Sequence, residues 1–499
     1  MKKILVILLL AVMILPMGLT AMAEEDKPFA GLEFSILSTT WSPYTTENTL
    51  IPYIEEATGA KINVEWALKT DFDTRVNTVL AGSDIPDVIM GASFLPLLDQ
   101  SAIIPLDDYL TPENAPNILA ALNENDYVEL RNVSDGLIYQ LPSVFDFPEL
   151  NSWMIRTDWL RDMGKDSLNT WEDWLEYWRY IRDNDVNGNG DATDELPIAC
   201  NYKNFRTAFI PTASTTHYFC VTKDNEYTVI YETPEFKSYL ESLRGLYAEG
   251  ILRSENITTS NFKTVASASQ GGTMQTAAEW AMQITDALRE NDPEATFGCV
   301  PPITTPMGDQ AINARAKVST RGVLTVAAED RAKEIVALFD WLYSKEGADL
   351  INYGVENVHH QVIDGKKKLV SPYIDSFVNA RAAGLIFQPF PFLWYADSYM
   401  QILLNGKTYE ELGDTQKIFY DGLFMNDPYF VKAAPLLTTA AYAEYNSDIA
   451  NTLSEAEANC ITGEITLDEF WQIYESTKEN GMSEIIEQAA EAWKLVNGN

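Results

Sequence analysis

Between residues 185 and 195 the chain reads Asp185-Val-Asn187-Gly-Asn189-Gly190-Asp191-Ala-Thr-Asp194-Glu195. Oxygen-bearing side chains alternate through a glycine-rich turn, the donor set with which a hard cation gathers about six to eight oxygen ligands. Calcium is the expected ion. The spacing departs from the EF-hand loop: counted from Asp185, the twelfth position is Leu196, and counted from Asp183 it is Asp194, with Gly188 sixth. The competing reading is a solvated Asn/Gly/Asp turn. Nothing in the loop is a nucleophile, so an ion held there would be structural.

Motifs for covalent or metal-assisted catalysis are missing from the rest of the chain. No G-x-S-x-G elbow, H-E-x-x-H helix or G-x-G-x-x-G fingerprint occurs. Gly406-Lys407-Thr408 ends like a phosphate-binding loop, but Gln401 stands where its first glycine belongs. The three histidines, 217, 359 and 360, are too few for a His-based metal site, and the cysteines at 200, 220, 299 and 460 match no zinc or redox spacing. One or two disulfides are compatible with an oxidising compartment. With 73 acidic residues, a carboxylate pair near any cleft is uninformative about glycoside hydrolysis.

Lys2 and Lys3, the apolar run Ile4 to Leu15 and Ala21-Met22-Ala23 form an export signal ending at 23, too short in its apolar part to anchor the chain. No cysteine stands at the cleavage site, so the expectation is an exported protein, periplasmic or extracellular, without a lipid anchor. The 35 basic against 73 acidic residues give a formal charge of −38, which repels nucleic acid and anionic lipid. A monomer of two packed domains suits the length.

The elements that must position these residues begin with alternating strand and helix patterns. Leu32, Phe34 and Ile36 recur at strand spacing, Leu50, Ile54 and Ala57 at helical spacing up to Gly59, and Ile62, Val64 and Trp66 again at period two. A helix from Asp71 to Gly82 carries Phe72, Val76, Val79 and Leu80, and Val88 to Met90 follows as a buried strand. This β-α-β-α-β order implies a largely parallel sheet covered on both faces, with ligand in the crevice beyond the carboxyl ends of its strands. Ser38 to Tyr44 and Gly91 to Phe94 fall there, which makes Trp41 and Tyr44 candidate ligand contacts. Farther on, Thr170 can cap a helix whose Trp171, Trp174, Leu175, Trp178 and Ile181 form one apolar stripe, read as core. Val323 to Ala327 reads as a strand, Ile335 to Leu342 as an amphipathic helix, and the region after Ser371 as mostly helical.

Several segments, in this order, resemble the family 1 extracellular solute-binding proteins of bacterial ABC importers, in the branch of the alginate-oligosaccharide-binding proteins. They are Val79 to Asp87, Asp135 to Pro142, Arg156 to Leu160, Asn187 to Pro197, Phe339 to Tyr343 with Tyr353 to Glu356, and Ile461 to Phe470. The resemblance implies two α/β lobes, a type II periplasmic-binding-protein-like fold with a helical C-terminal region, closing by hinge motion on a ligand between them. It implies a first lobe at 24–142 and 300–360, and a second at 143–299, carrying the calcium loop, and 361–499. Asp185, Asn187, Asn189 and Glu195 are the implied calcium ligands, with Asp194 and the Asp191 carbonyl completing the set in a loop one residue longer than the family's usual one. Trp280 and the pair Trp394-Tyr395 resemble the sugar-stacking places of maltose-binding relatives, and an aromatic ring does suit the C–H-rich face of a sugar.

The reading is therefore a non-enzymatic binding protein that delivers an oligosaccharide, uncharged or only partly charged, to a membrane ABC permease. Arg156, Arg315 and Arg321 are the cations expected toward the cleft. A secreted carbohydrate-active enzyme and a ligand-presenting sensor are the alternatives. The tract holding His359 and His360 departs from the family pattern, as does the missing lipobox cysteine.

Overall fold

Alternation along the first strands sorts their side chains between two cores. The computed structural model describes residues 27–497 apart from 41–47, 93, 124, 125, 127–129, 133, 134, 147–149, 215, 216, 259, 260, 315–317, 376 and 387. The export signal, Trp41, Tyr44 and Arg315 lie outside the described residues. In strands Glu33–Thr40 and Val88–Met90, Phe34, Ile36, Val88 and Met90 enter one apolar cluster, while Leu37 and Ile89 enter another with Phe72, Val76 and Val79. A sheet buried on both faces follows directly from that period of two.

The sheet has six strands in the spatial order Leu393–Tyr395, Leu141–Asp146, Val318–Leu324, Val88–Met90, Glu33–Thr40 and Lys61–Leu68. Glu33–Thr40 is parallel to both neighbours, with Ser38 opposite Trp66 and Met90. Val318–Leu324 runs antiparallel to Val88–Met90 and Leu141–Asp146, and Leu393–Tyr395 is parallel to the latter. The expected β-α-β-α-β unit is thus present. Its second helix ends sooner than expected, at Phe72–Leu80, with Ala81 rather than Gly82 at its C-cap and with no side-chain cap from Asp71. The strand expected at Val323 to Ala327 stops at Leu324, because Thr325 Oγ1 accepts from Ala327 N (3.2 Å) and starts a 3-10 turn, Val326–Arg331.

The second lobe is organised by Asn151–Arg156, antiparallel to Thr273–Ala277 on one side and Phe297–Val300 on the other. Trp153 and Ile155 face an aromatic core, whereas Met154 faces the opposite way. Helix Trp171–Asp183 starts at a capping box: Asp173 N donates to Thr170 Oγ1 (3.1 Å) and Thr170 N donates to Asp173 Oδ2 (3.0 Å). Hydrogen bonding from Lys165, more than the box itself, holds the Asp173 carboxyl down at about 2. Trp174, Trp178 and Ile181 are fully buried, so the tryptophan stripe is core as expected. Helices Ala440–Thr462, Leu467–Thr477 and Ser483–Asn497 close the same core through Leu453, Phe470 and Ile485. At its centre Arg206 pairs with Glu457, which also accepts from Tyr239 Oη (2.7 Å).

Strand pairing corrects the expected lobe boundaries. Leu393–Tyr395 is hydrogen-bonded into the first sheet, so the chain from 361 through that strand is tied to the first lobe, not the second. Residues 143–146 belong to the first sheet as well. Conversely, Ile303 and Ile312 pack in the second core, and Ile312–Ala314 pairs with Phe430–Lys432. The four cysteines are all free and buried, so the disulfides compatible with the sequence are not formed. Among the described residues no helix is long and apolar enough to cross a membrane.

Candidate ligand cleft and cation loop

Trp280 opens helix Glu279–Arg289, directly after the edge strand Thr273–Ala277 of the second lobe. Its ring is half-buried, and the Lys263 ammonium lies 4.9 Å from the ring centroid and donates to Gln283 Oε1. Burial depresses the Lys263 pKa, against the pull of nearby Glu279. A cation over an aromatic face is attracted by the ring quadrupole. Any sugar meeting Trp280 therefore also meets Lys263, a residue that no motif or spacing in the sequence marks.

Trp394 and Tyr395 end the strand that borders the first sheet. Asn352 holds them: its Nδ2 donates to Leu393 O (2.8 Å), and its Oδ1 accepts from Tyr395 N (2.7 Å) and Ser398 Oγ (2.8 Å). Trp394 is only 8% exposed and packs among Phe145, Phe392 and Tyr399, with ring centroids 6.0, 5.7 and 5.0 Å away. Little of its face is open in this conformation. Tyr395 is half-buried, 6.3 Å from the Tyr353 ring. Asn352 could not have been found from sequence, since its role exists only through contacts more than forty residues along the chain.

Arg156, expected toward the cleft, is 1% exposed and fully engaged inside the second lobe. Asp158 accepts from its Nε (2.9 Å) and Nη2 (2.5 Å), Ser269 Oγ accepts from Nη1 (2.7 Å), and the guanidinium lies 4.2 Å over Trp159. A ligand carboxylate could reach it only by breaking that set, so Arg156 is structural.

In the loop at 185–195, Gly188 and Gly190 take left-handed conformations (φ 69° and 92°) that let the backbone fold over the side chains. Asp185 accepts from Asn189 N (3.1 Å) and Gly190 N (2.8 Å), and Asn189 Oδ1 accepts from Asp191 N (2.7 Å). Asp194 accepts from Asn187 (3.3 Å), Asn189 (2.8 Å) and Gln270 (2.8 Å) side chains. Burial works against the Asp194 charge, but the donors outweigh it and keep the carboxyl below its usual range. Glu195 is fully buried, its Oε1 accepts from Asn187 N (3.2 Å), and its Oε2 has no hydrogen-bond donor. Burial pushes the Glu195 pKa up. Among the described residues no three His, Cys, Asp or Glu side chains come together as a metal cage. Amide and backbone oxygens would have to share the work with Asp185 and Glu195, and the all-oxygen donor set with its orphaned buried carboxylate oxygen fits a hard cation.

His359 and His360 are both buried, 3% exposed each. His360 Nδ1 is 3.0 Å from Tyr353 O, and His359 packs on Tyr373, ring centroids 4.6 Å apart.

No protein-family model matches the sequence. The fructooligosaccharide ABC transporter substrate-binding protein FusA of Streptococcus pneumoniae is 26% identical over 261 residues, 48% of this chain; the match spans about half of FusA's length, 47%. The polygalacturonan/rhamnogalacturonan-binding protein YtcQ of Bacillus subtilis is 22% identical over 486 residues, 94% of this chain and 92% of YtcQ. The crystal structure of the alginate-binding protein AlgQ2 without calcium ion superposes with a TM-score of 0.73 at 19% identity, over 94% of this chain and 99% of AlgQ2. FusA has also been solved as an EF-hand mutant with fructo-nystose, and superposes with a TM-score of 0.69 at 19% identity over 94% of this chain and all of that one.

The fold is therefore the two-lobed α/β fold of binding proteins that serve ABC importers. In sequence and in fold the chain is similar, over nearly its whole length, to proteins named for binding glycans.

Proposed function

We propose that this chain is the extracytoplasmic substrate-binding protein of an ABC importer, capturing an oligosaccharide between its lobes and delivering it to a membrane permease. The observation that carries the reading is the two-lobed fold shared with glycan-binding relatives over nearly the whole chain. Relatives are named as binding proteins, which supports a binder over a secreted carbohydrate-active enzyme. Trp280 and Tyr395, half-buried on different lobes, are the proposed stacking aromatics, and Trp41 and Tyr44, which follow the first strand in sequence, are further candidates. Lys263 beside Trp280 favours a glycan that is neutral or carries scattered acid groups over a dense polyanion, which a chain of charge −38 repels. On this reading the protein acts outside the cytoplasm, as a monomer. Small-angle scattering should show a smaller radius of gyration with a bound fructan or pectic oligosaccharide than without it. Saturable binding with an unchanged radius, or turnover of the glycan, would contradict it.

A structural calcium ion in the loop at 185–195 belongs to the same proposal, with Asp185, Asn187, Asn189, Asp191 through its carbonyl, Asp194 and Glu195 as its ligand set. The buried, unpartnered Glu195 oxygen supports it, as does the EF-hand described for FusA. An ion there would join the end of helix Trp171–Asp183 to the segment leading into Leu196.

A further inference from the structure

The tract at His359 and His360 is not absorbed by the import reading, and it lines the wall of a groove in the first lobe. The groove has a volume of about 800 Å³. Its walls are Val64 and Trp66 of strand Lys61–Leu68, Tyr53 of helix Ile51–Thr58, and His359 with Tyr373; Asn48 and Asn379 add carboxamides. Neither Trp280 nor Trp394 contributes to it.

Its polar groups are set in place by the fold. Val355 N donates to His359 Nδ1 (3.1 Å), which makes Nε2 the N–H donor of the ring. Tyr53 meets the same ring edge to face at 5.8 Å. Gly354 (φ 65°) makes room for it, since a Cβ there would lie 2.5 Å from His359 Cγ. Gly384 does the same for Asn48, whose Oδ1 accepts from Leu50 N (2.9 Å) and whose Nδ2 donates to Gln388 Oε1 (2.6 Å). Burial and the adjacent His360 depress the His359 pKa, so the ring is neutral at neutral pH.

We infer that this groove is a second binding site, confined to the first lobe, for a neutral sugar ring. Flat aromatic faces take the C–H side of such a ring, while the His359 imidazole N–H serves a hydroxyl at its edge. Among the described residues that line the groove there is no cation, which disfavours a ligand chosen for its negative charge. Its volume falls within the range of about 300–1,000 Å³ usual for small-ligand sites.

With only three histidines in the chain, ¹⁵N-histidine labelling gives a spectrum in which His359 is assigned by a single His359→Asn variant. The methyl glycosides of glucose, galactose and mannose, and sucrose, are the probes. At least one should shift the His359 signals saturably, Trp66→Ala should weaken that binding at least ten-fold, and Trp280→Ala should leave it unchanged. Ala382→Glu, which puts a charge into the groove from an exposed position, should block it even if Trp66→Ala loses stability. The inference is overturned if no probe shifts His359, or if the shift is lost in Trp280→Ala. Scattering on the same samples reports closure of the main cleft separately, so failure of the import reading leaves this result standing or falling alone.

Discussion

In the first lobe a six-stranded sheet is covered by a separate apolar cluster on each face, and the larger, which includes Phe34, Phe339 and Trp394, continues into the second lobe at Met154, Met274 and Phe297. In the second a three-stranded sheet is backed by Trp153, Trp174, Trp178 and Tyr239 and by the Arg206–Glu457 pair. The first arrangement spreads burial over many side chains on both faces of a wide sheet. The second concentrates stability in a few large or charged groups. Single substitutions at those large or charged groups should therefore be costly, whereas the half-buried Trp280 and Tyr395 should be cheap to alter.

The largest effect is expected from Glu457→Ala, which strands Arg206 at 5% exposure. The loss should be about 3–5 kcal/mol in denaturant melts, and replacing both partners with apolar residues should recover most of it. A loss below about 1 kcal/mol would end the case for a concentrated core. Next, the two candidate stacking tryptophans should separate. Trp394→Ala should cost about 3–5 kcal/mol of stability without ligand, as expected of a buried aromatic. Trp280→Ala should leave the unliganded melting curve near wild type and weaken glycan binding at least ten-fold, about 1.4 kcal/mol. The reverse pattern would exchange their roles.

Calcium removal should lower the melting temperature, and calcium should restore it where magnesium does so poorly. Without the ion the pH response has a definite sign. Glu195 holds its proton to higher pH in the folded chain than in the unfolded one, so between those values folding binds a proton and stability falls as pH rises. Calcium should remove that slope, as should Glu195→Gln. A calcium-independent melting curve makes the loop a solvated turn. At neutral pH nothing is expected from His217, whose pKa burial pushes down to about 4, and its effect appears only in acid. The unfolded imidazole protonates near its ordinary value of about 6.5, so its contribution is intact above that pH and is lost as pH falls toward 4. His217→Asn should flatten that part of the profile.

Local patterns were legible where neighbours in sequence are neighbours in space. The period-two strands, the Thr170 cap and the tryptophan stripe depend on residues a few positions apart, and the structure has them. Leu393–Tyr395 was not legible, because a three-residue strand has too little periodicity to show and its partner lies about 250 residues earlier. Lys263 beside Trp280 and Asn352 beside Tyr395 are likewise products of tertiary folding. Arg156 was misplaced because its charge, read alone, suggested a ligand contact, whereas Asp158 two positions on already satisfies it.

The four buried cysteines carry a consequence for how the chain can be made and watched. Burial pushes the thiols of Cys200 and Cys220 up to about 12 and that of Cys299 up to about 11, so almost none of them is thiolate at neutral pH. The chain has no bond to form on leaving a reducing compartment and no reactive sulfur to lose on entering an oxidising one. It can mature without a thiol oxidant or a disulfide isomerase. Alkylation at each cysteine then proceeds only when the second lobe opens, which turns four silent side chains into clocks for its unfolding.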